Sequence, residues 1–146
     1  GVQIEEVILH VGIGTFRPVQ TQTLEDHVMH HEWVEITDAT AERIRTAKSA
    51  GRRIVAVGTT STRVLEGVAA MFGELRGYQG ETNVFITPGF SFQVIDALIT
   101  NFHLPKSTLL VLVSAFAGRE NVLKAYEEAK ANNYRFFSFG DAMFMA

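Results

Sequence analysis

Apolar and polar positions along the chain switch between the two-residue period of strands and the 3.6-residue period of helices. Ile4–Val11 reads as a strand, followed by a glycine-rich turn ending at Pro18. A helix is predicted from about Asp38 to Ala50. Asp38 is suited to accept from the free amides of the first turn, and Gly51 to a left-handed stop. Arg53–Val57 is a short β-branched strand. The next helix, from about Ser61 to Phe72, carries Val64, Leu65, Val68, Ala69 and Phe72 on one stripe, with Gly73 behind it. Asn83–Thr87 reads as a strand broken by Pro88-Gly89, and Phe90–Ile95 alternates as an antiparallel strand would. Ser107–Ala117 is apolar nearly all round, hence a buried helix or a central strand; Pro105 before it and Gly118 after it favour helix. Glu120–Ala131 is an amphipathic helix on Val122, Leu123, Tyr126 and Ala129, and Tyr134–Phe137 closes as a strand.

Strands mixed with helices of this length predict an α/β fold, with a mixed, partly parallel sheet and helices on both faces. Residues 1–146 read as a single α/β domain without repeat, linker or low-complexity tract. Apolar residues make up 47 % and charged residues 20 %, which excludes intrinsic disorder. Cysteine is absent, which excludes disulfides, a zinc knuckle and a thiol nucleophile. Leu109–Ala117 falls well short of the ~20 apolar residues that span a bilayer, and no signal peptide opens the chain. The expectation is a cytoplasmic protein with no membrane contact. The chain starts at Gly1 and stops directly after an aromatic-rich run, which suggests a piece of something longer. Thirteen Lys and Arg against sixteen Asp and Glu leave a net charge of −3, mildly against a dedicated nucleic-acid module, although a local basic face remains open.

Four stretches carry more polar chemistry than packing needs. Gly12-Ile13-Gly14-Thr15-Phe16-Arg17 offers close backbone approach, a hydroxyl and a bidentate cation, but lacks the third glycine of a dinucleotide fingerprint. A plain tight turn is the competing reading. Gly58-Thr59-Thr60-Ser61-Thr62-Arg63 runs from a strand end into a helix start, where free amides and hydroxyls form an anion or hydroxyl-ligand site. Simple helix capping by Thr60 or Ser61 is the alternative. His27, His30, His31 and Glu32 lie within six residues and could be acid–base groups, metal ligands or surface polar residues. Their spacing does not fit the helical metalloprotease pattern. Finally, Asn101, His103, Lys106 and Ser107 crowd a Pro-bearing loop, with Ser107 also a candidate helix cap. Tyr134–Asp141 is aromatic enough for base stacking, although core packing explains it as well.

The stretches His10–Val19, Met29–Glu32, Val57–Arg63, Leu98–Leu110, Val113–Gly118 and Tyr134–Met143 together resemble the S-adenosylmethionine:tRNA ribosyltransferase-isomerases of queuosine biosynthesis. The resemblance runs end to end and in order. Trp33 and Phe139 stand where that family often has Tyr, which keeps the aromatic character. Members are much longer, so the resemblance implies a C-terminal portion of a larger two-domain protein, lacking the N-terminal α/β segments and an inserted β-barrel. It further implies an enzyme that moves the ribosyl part of S-adenosylmethionine onto the aminomethyl group of a 7-deazaguanine in tRNA. The products would be epoxyqueuosine-tRNA, adenine and methionine, and the isolated fragment would be inactive.

The partners so implied are tRNA, at the wobble position of its anticodon arm, and S-adenosylmethionine as co-substrate, with no further cofactor and no metal. The oligomeric state is left open. The reaction needs acid–base groups working near neutrality, so the catalytic candidates are His27, His30 with Glu32, His103 and Asp141. The binding candidates are Gly12, Gly14, Thr15, Phe16, Arg17, Gly58, Thr59, Thr60, Ser61, Arg63, Asn101, Lys106 and Ser107. Phe16 or Trp33 would face the sulfonium, and Arg17 or Arg63 the methionine carboxylate. A stripe of Lys48, Arg52, Arg53 and Lys106, or the absent portion, would contact the RNA. Two rivals are a non-catalytic nucleoside- or anion-binding module and a metal-dependent hydrolase using His27, His30, His31 and Glu32.

Overall fold

In the first helix Thr37, not Asp38, supplies the cap: its Oγ1 accepts from the Thr40 amide at 3.1 Å, and α1 runs Asp38–Ser49. Asp38 therefore falls inside the first turn, where its charge suits the positive end of the helix. The computed structural model describes residues 1–12 and 18–146. Among them α2 spans Thr59–Phe72, beginning two residues earlier than the apolar stripe alone indicated, and buries Val64, Leu65, Val68 and Ala69. Ser107–Ala117 resolves as helix: Ser107 caps α3 (Thr108–Ala117) by accepting from the Leu110 amide at 3.1 Å. Helix α4 (Arg119–Ala131) buries Val122, Tyr126 and Ala129.

The strands form two three-stranded sheets. In the first, β1 (Ile8–His10), β2 (Glu32–Ile36) and β4 (Tyr78–Thr82) are antiparallel in the order β1-β2-β4. In the second, β5 (Ala97–Asn101) is central, parallel to β3 (Val55–Val57) and antiparallel to β6 (Ala142–Met145). The partly parallel character is therefore present, confined to the second sheet. On one face of that sheet the register aligns Val57, Ile99 and Phe144; Val57 and Phe144 are 66 % and 59 % exposed, so no helix among the described residues covers this row.

Several expected strands are absent. Of Ile4–Val11 only Ile8–His10 pairs. Asn83–Thr87 and Phe90–Ile95 are irregular backbone. Their apolar residues Ile86, Val94 and Ile95 are buried in the core, so the pattern reports burial without strand pairing. The Phe90–Ile95 segment is held instead by the fully buried Glu66 carboxylate, which accepts from the amides of Gln93, Val94 and Ile95 at 2.8, 2.9 and 2.8 Å. Tyr134–Phe137 is also not a strand: Phe136 packs on Phe102 and Tyr126, with ring centroids 5.0 and 5.8 Å away. The closing strand comes later, at β6.

One consequence positions the site. Because β3 and β5 run parallel, their C-terminal ends lie side by side, and the Gly58 amide donates to the Ile99 carbonyl at 2.7 Å. The carboxyl ends of parallel strands are where open α/β sheets place ligands.

Candidate functional site

Beyond those two strand ends opens a cleft of about 230 Å³. One wall is the start of α2, with Gly58, Thr59, Thr60 and Arg63. The other is the end of β5 and the loop after it, with Asn101, His103, Leu104 and Ser107. Gly58 sits at φ +89°, a conformation that suits glycine, and no side chain caps the helix behind it. The first-turn amides of a helix have no intrahelical partner, so this wall presents a partial positive charge beside two hydroxyls. Ser61 contributes nothing comparable, because its Oγ donates to the Val57 carbonyl at 2.9 Å.

His103 lines the same cleft as this helix start. Its backbone N–H donates to the Tyr126 hydroxyl at 2.7 Å, and its Nε2 lies 3.2 Å from Thr100 Oγ1. Burial lowers its pKa from the usual 6.5 to about 4, so the imidazole is neutral at pH 7. Among the described lining residues only His103 and Arg63 are ionisable, and no carboxylate lines the cleft.

The other expected acid–base groups lie elsewhere. Glu32 is buried and forms an ion pair with Arg63; its Oε1 accepts from the Gly12 amide at 3.0 Å. Its carboxylate thus braces Arg63 and Gly12 and does not pair with His30. His30 is exposed, His27 packs on Phe85 with centroids 5.2 Å apart, and His31 lies 3.5 Å from Glu81. None of these three histidines is among the described residues of the cleft wall. Among the described residues no group of three or more His, Asp or Glu side chains is arranged to hold a metal ion, so the cluster in sequence does not become one in space.

Asp141 closes the turn that follows α4. Its carboxylate accepts from the Arg135 amide at 2.7 Å and lies 3.3 Å from the Arg135 guanidinium, and these two bonds lower its pKa. Asn101 ties β5 to the same turn by donating to the carbonyls of Gly140 and Asp141 at 3.4 and 3.3 Å. Lys106 is exposed at φ +58°, with its carbonyl accepting from the Val19 amide at 2.7 Å. The expected sites at Gly14, Thr15, Phe16 and Arg17 lie outside the described residues. Trp33 packs edge-on against His10, with centroids 4.9 Å apart.

The basic stripe is split. Arg52 and Arg53 precede β3, at the end of the sheet away from Gly58, and Lys48 Nζ is bound to the Val94 carbonyl at 2.8 Å and Asp96 at 2.9 Å. Lys106 belongs to the cleft end. The cleft is also lined by Val11, Thr100, Phe102, Leu104, Leu109, Phe137 and Ser138, none of them a candidate from the sequence. Thr100 could have been found from its position three residues before His103.

Comparison with known proteins shows the family of the chain. A family model described as a queuosine biosynthesis protein matches residues 1–145. The chain belongs to that family. It is 62 % identical over 143 residues to the S-adenosylmethionine:tRNA ribosyltransferase-isomerase of Carboxydothermus hydrogenoformans, and 57 % identical over 143 residues to that of Desulfitobacterium hafniense. Each match covers 98 % of this chain and 42 % of the relative. The crystal structure of the S-adenosylmethionine tRNA ribosyltransferase from Thermotoga maritima superposes with a TM-score of 0.81 at 48 % identity. That match covers all of this chain and 46 % of the other. The chain thus spans less than half the length of these relatives. Among its described residues no helix is long and apolar enough to cross a membrane.

Proposed function

We propose that this chain supplies the donor-binding and proton-transfer part of an S-adenosylmethionine:tRNA ribosyltransferase-isomerase acting in the cytoplasm. The ribosyl part of S-adenosylmethionine passes to 7-aminomethyl-7-deazaguanine at the wobble position of a tRNA anticodon arm. Epoxyqueuosine-tRNA, adenine and methionine are the products. The observation that carries this reading is the pairing, in one cleft, of an uncapped helix start with a neutral imidazole.

The two walls suit different parts of the donor. The methionine carboxylate is the anion for the α2 amides and the Thr59 and Thr60 hydroxyls. The sulfonium acidifies the protons on the adjacent 5′ carbon. His103, neutral at working pH, accepts one of them, and the imidazolium so formed returns that proton to a ring nitrogen as adenine departs. Thr100 Oγ1 holds the His103 ring by its Nε2, which fixes its orientation.

Single-turnover release of adenine from S-adenosylmethionine on acceptor tRNA, measured on the intact polypeptide, tests the proposal. His103→Ala should slow the step by about 10²–10⁴-fold. An unchanged rate removes His103 from the chemistry. No adenine from the unmodified protein overturns the reading as a whole.

A further inference from the structure

The turn after α4 carries aromatic side chains that the chemistry above does not use. Phe137 lines the cleft and is 47 % exposed, and Phe139, two residues on, is 97 % exposed and is not part of the cleft wall. An almost fully exposed phenyl ring on a mobile tail would mean little. This turn, however, is bound at every corner. The Phe137 amide donates to the Phe102 carbonyl at 2.9 Å, the Gly140 amide to the Phe137 carbonyl at 2.9 Å, and the Asp141 amide to the Arg135 carbonyl at 2.8 Å. Asn101 and the Asp141 carboxylate fasten it further to β5 and to Arg135. A Cβ on Gly140 would lie 2.4 Å from the Arg135 carbonyl oxygen, so the turn closes on itself more tightly than any other residue there allows. Phe137 is held at φ +70°, which bulky residues rarely adopt.

We propose that this turn is a base-stacking platform at the mouth of the cleft, on which the Phe139 ring takes an unpaired base of the RNA acceptor. The inference rests on the tRNA reading above. Every nucleobase has a π face, and single-stranded RNA is held by stacking splayed bases on aromatic side chains. The donor nucleoside belongs inside the cleft, against Gly58–Thr60 and His103. Phe139 lies outside that wall, so the donor nucleoside is not what it meets. The neighbouring Arg135, its side chain 75 % exposed and its guanidinium 3.3 Å from the Asp141 carboxylate, leaves its remaining N–H groups beside the platform where an RNA backbone would pass. A preformed turn also spares the ordering cost that a flexible loop would incur on binding.

The test is fluorescence titration of the intact protein with a short RNA stem-loop carrying 2-aminopurine in its loop, because stacking quenches that base. The unmodified protein should quench the probe. Phe139→Ala should lose the quenching and weaken RNA affinity by about 5- to 150-fold, and Phe139→Trp should restore both. Phe139→Ala with affinity and quenching intact overturns the platform, including the case where the variant is merely less stable because the ring packs on other polypeptide. Binding of S-adenosylmethionine to the unmodified protein is measured alongside. Donor binding without RNA binding overturns the platform alone, whereas failure of both removes the functional reading as well.

Discussion

The carboxylate of Glu32, on the central strand of the first sheet, forms a buried ion pair with the guanidinium of Arg63 on the helix that opens the cleft. The pair joins two layers of the fold, and Glu32 also accepts from the Gly12 amide at 3.0 Å, at the start of the glycine stretch. Loss of one partner from such a pair leaves the other charge in a medium that solvates it poorly. Glu32→Gln, which retains an acceptor for Gly12, should therefore destabilise the protein by about 3–5 kcal/mol. Urea unfolding at neutral pH measures it, and a change below about 1 kcal/mol would show that the pair braces nothing.

His103 gives the fold a pH dependence with a definite sign. Its pKa is held at about 4 in the folded protein by burial and stands near 6.5 when the chain unfolds. Between those values the unfolded chain binds a proton that the folded chain refuses, so stability falls as pH drops from 6.5 towards 4 and does not fall further on this account below it. The contribution is up to about 3 kcal/mol. Unfolding free energies of His103→Asn and the parent should diverge across that window, with the variant lacking this share of the acid sensitivity. The acid limb of kcat/KM should lie likewise near pH 4, well below that of an ordinary imidazole.

Glu66 is a second buried carboxylate, and its function is structural. Three consecutive amides of the Gln93–Ile95 segment donate to it, so it does for this irregular stretch what a neighbouring strand would otherwise do. Glu66→Gln replaces one acceptor oxygen by a donor and leaves at least one of these three N–H groups without its acceptor. A loss of at least about 2 kcal/mol is expected. Hydrogen exchange at the amides of Gln93, Val94 and Ile95 should accelerate more than at the β5 amides; equal acceleration throughout would mean that Glu66 acts on global stability alone.

The helices were legible because period and punctuation agreed. Val64, Leu65, Val68 and Ala69 share one stripe ahead of Gly73, and Ser107 and Gly118 bracket α3. The strands were not. Ala97 to Asn101 has almost no alternation, because β5 is central and buried over most of its length, so no period marked it. Phe90–Ile95 did alternate, yet a side-chain carboxylate occupies its amides in place of a strand. The site follows the same division. Gly58–Thr60, Asn101 and His103 lie at strand ends, where sequence order and spatial order coincide. His27, His30 and His31 are neighbours along the chain and diverge in space, while Glu32 finds Arg63 through tertiary packing that no local pattern encodes. The Tyr126 hydroxyl that anchors His103 comes from α4 for the same reason.

Gly58 separates binding from folding at the cleft. Its φ of +89° strains any side-chain-bearing residue, yet the nearest atom to an added Cβ there, the Thr60 amide nitrogen, is 4.0 Å away. Gly58→Ala therefore meets no clash, and its cost is conformational, of order 1–3 kcal/mol. Relief of that strain requires the backbone to rotate, which moves the Thr59 and Thr60 amides relative to His103. The variant should stay folded and cooperative in thermal unfolding while its affinity for S-adenosylmethionine falls by about tenfold or more, as expected when hydrogen bonds to a charged carboxylate are displaced. Titration calorimetry with the donor, and with adenine as a ligand that lacks the carboxylate, distinguishes the cause. Loss for the donor with adenine affinity retained fits the α2 amides as the carboxylate site, and equal loss for both would instead mean that the whole cleft has shifted.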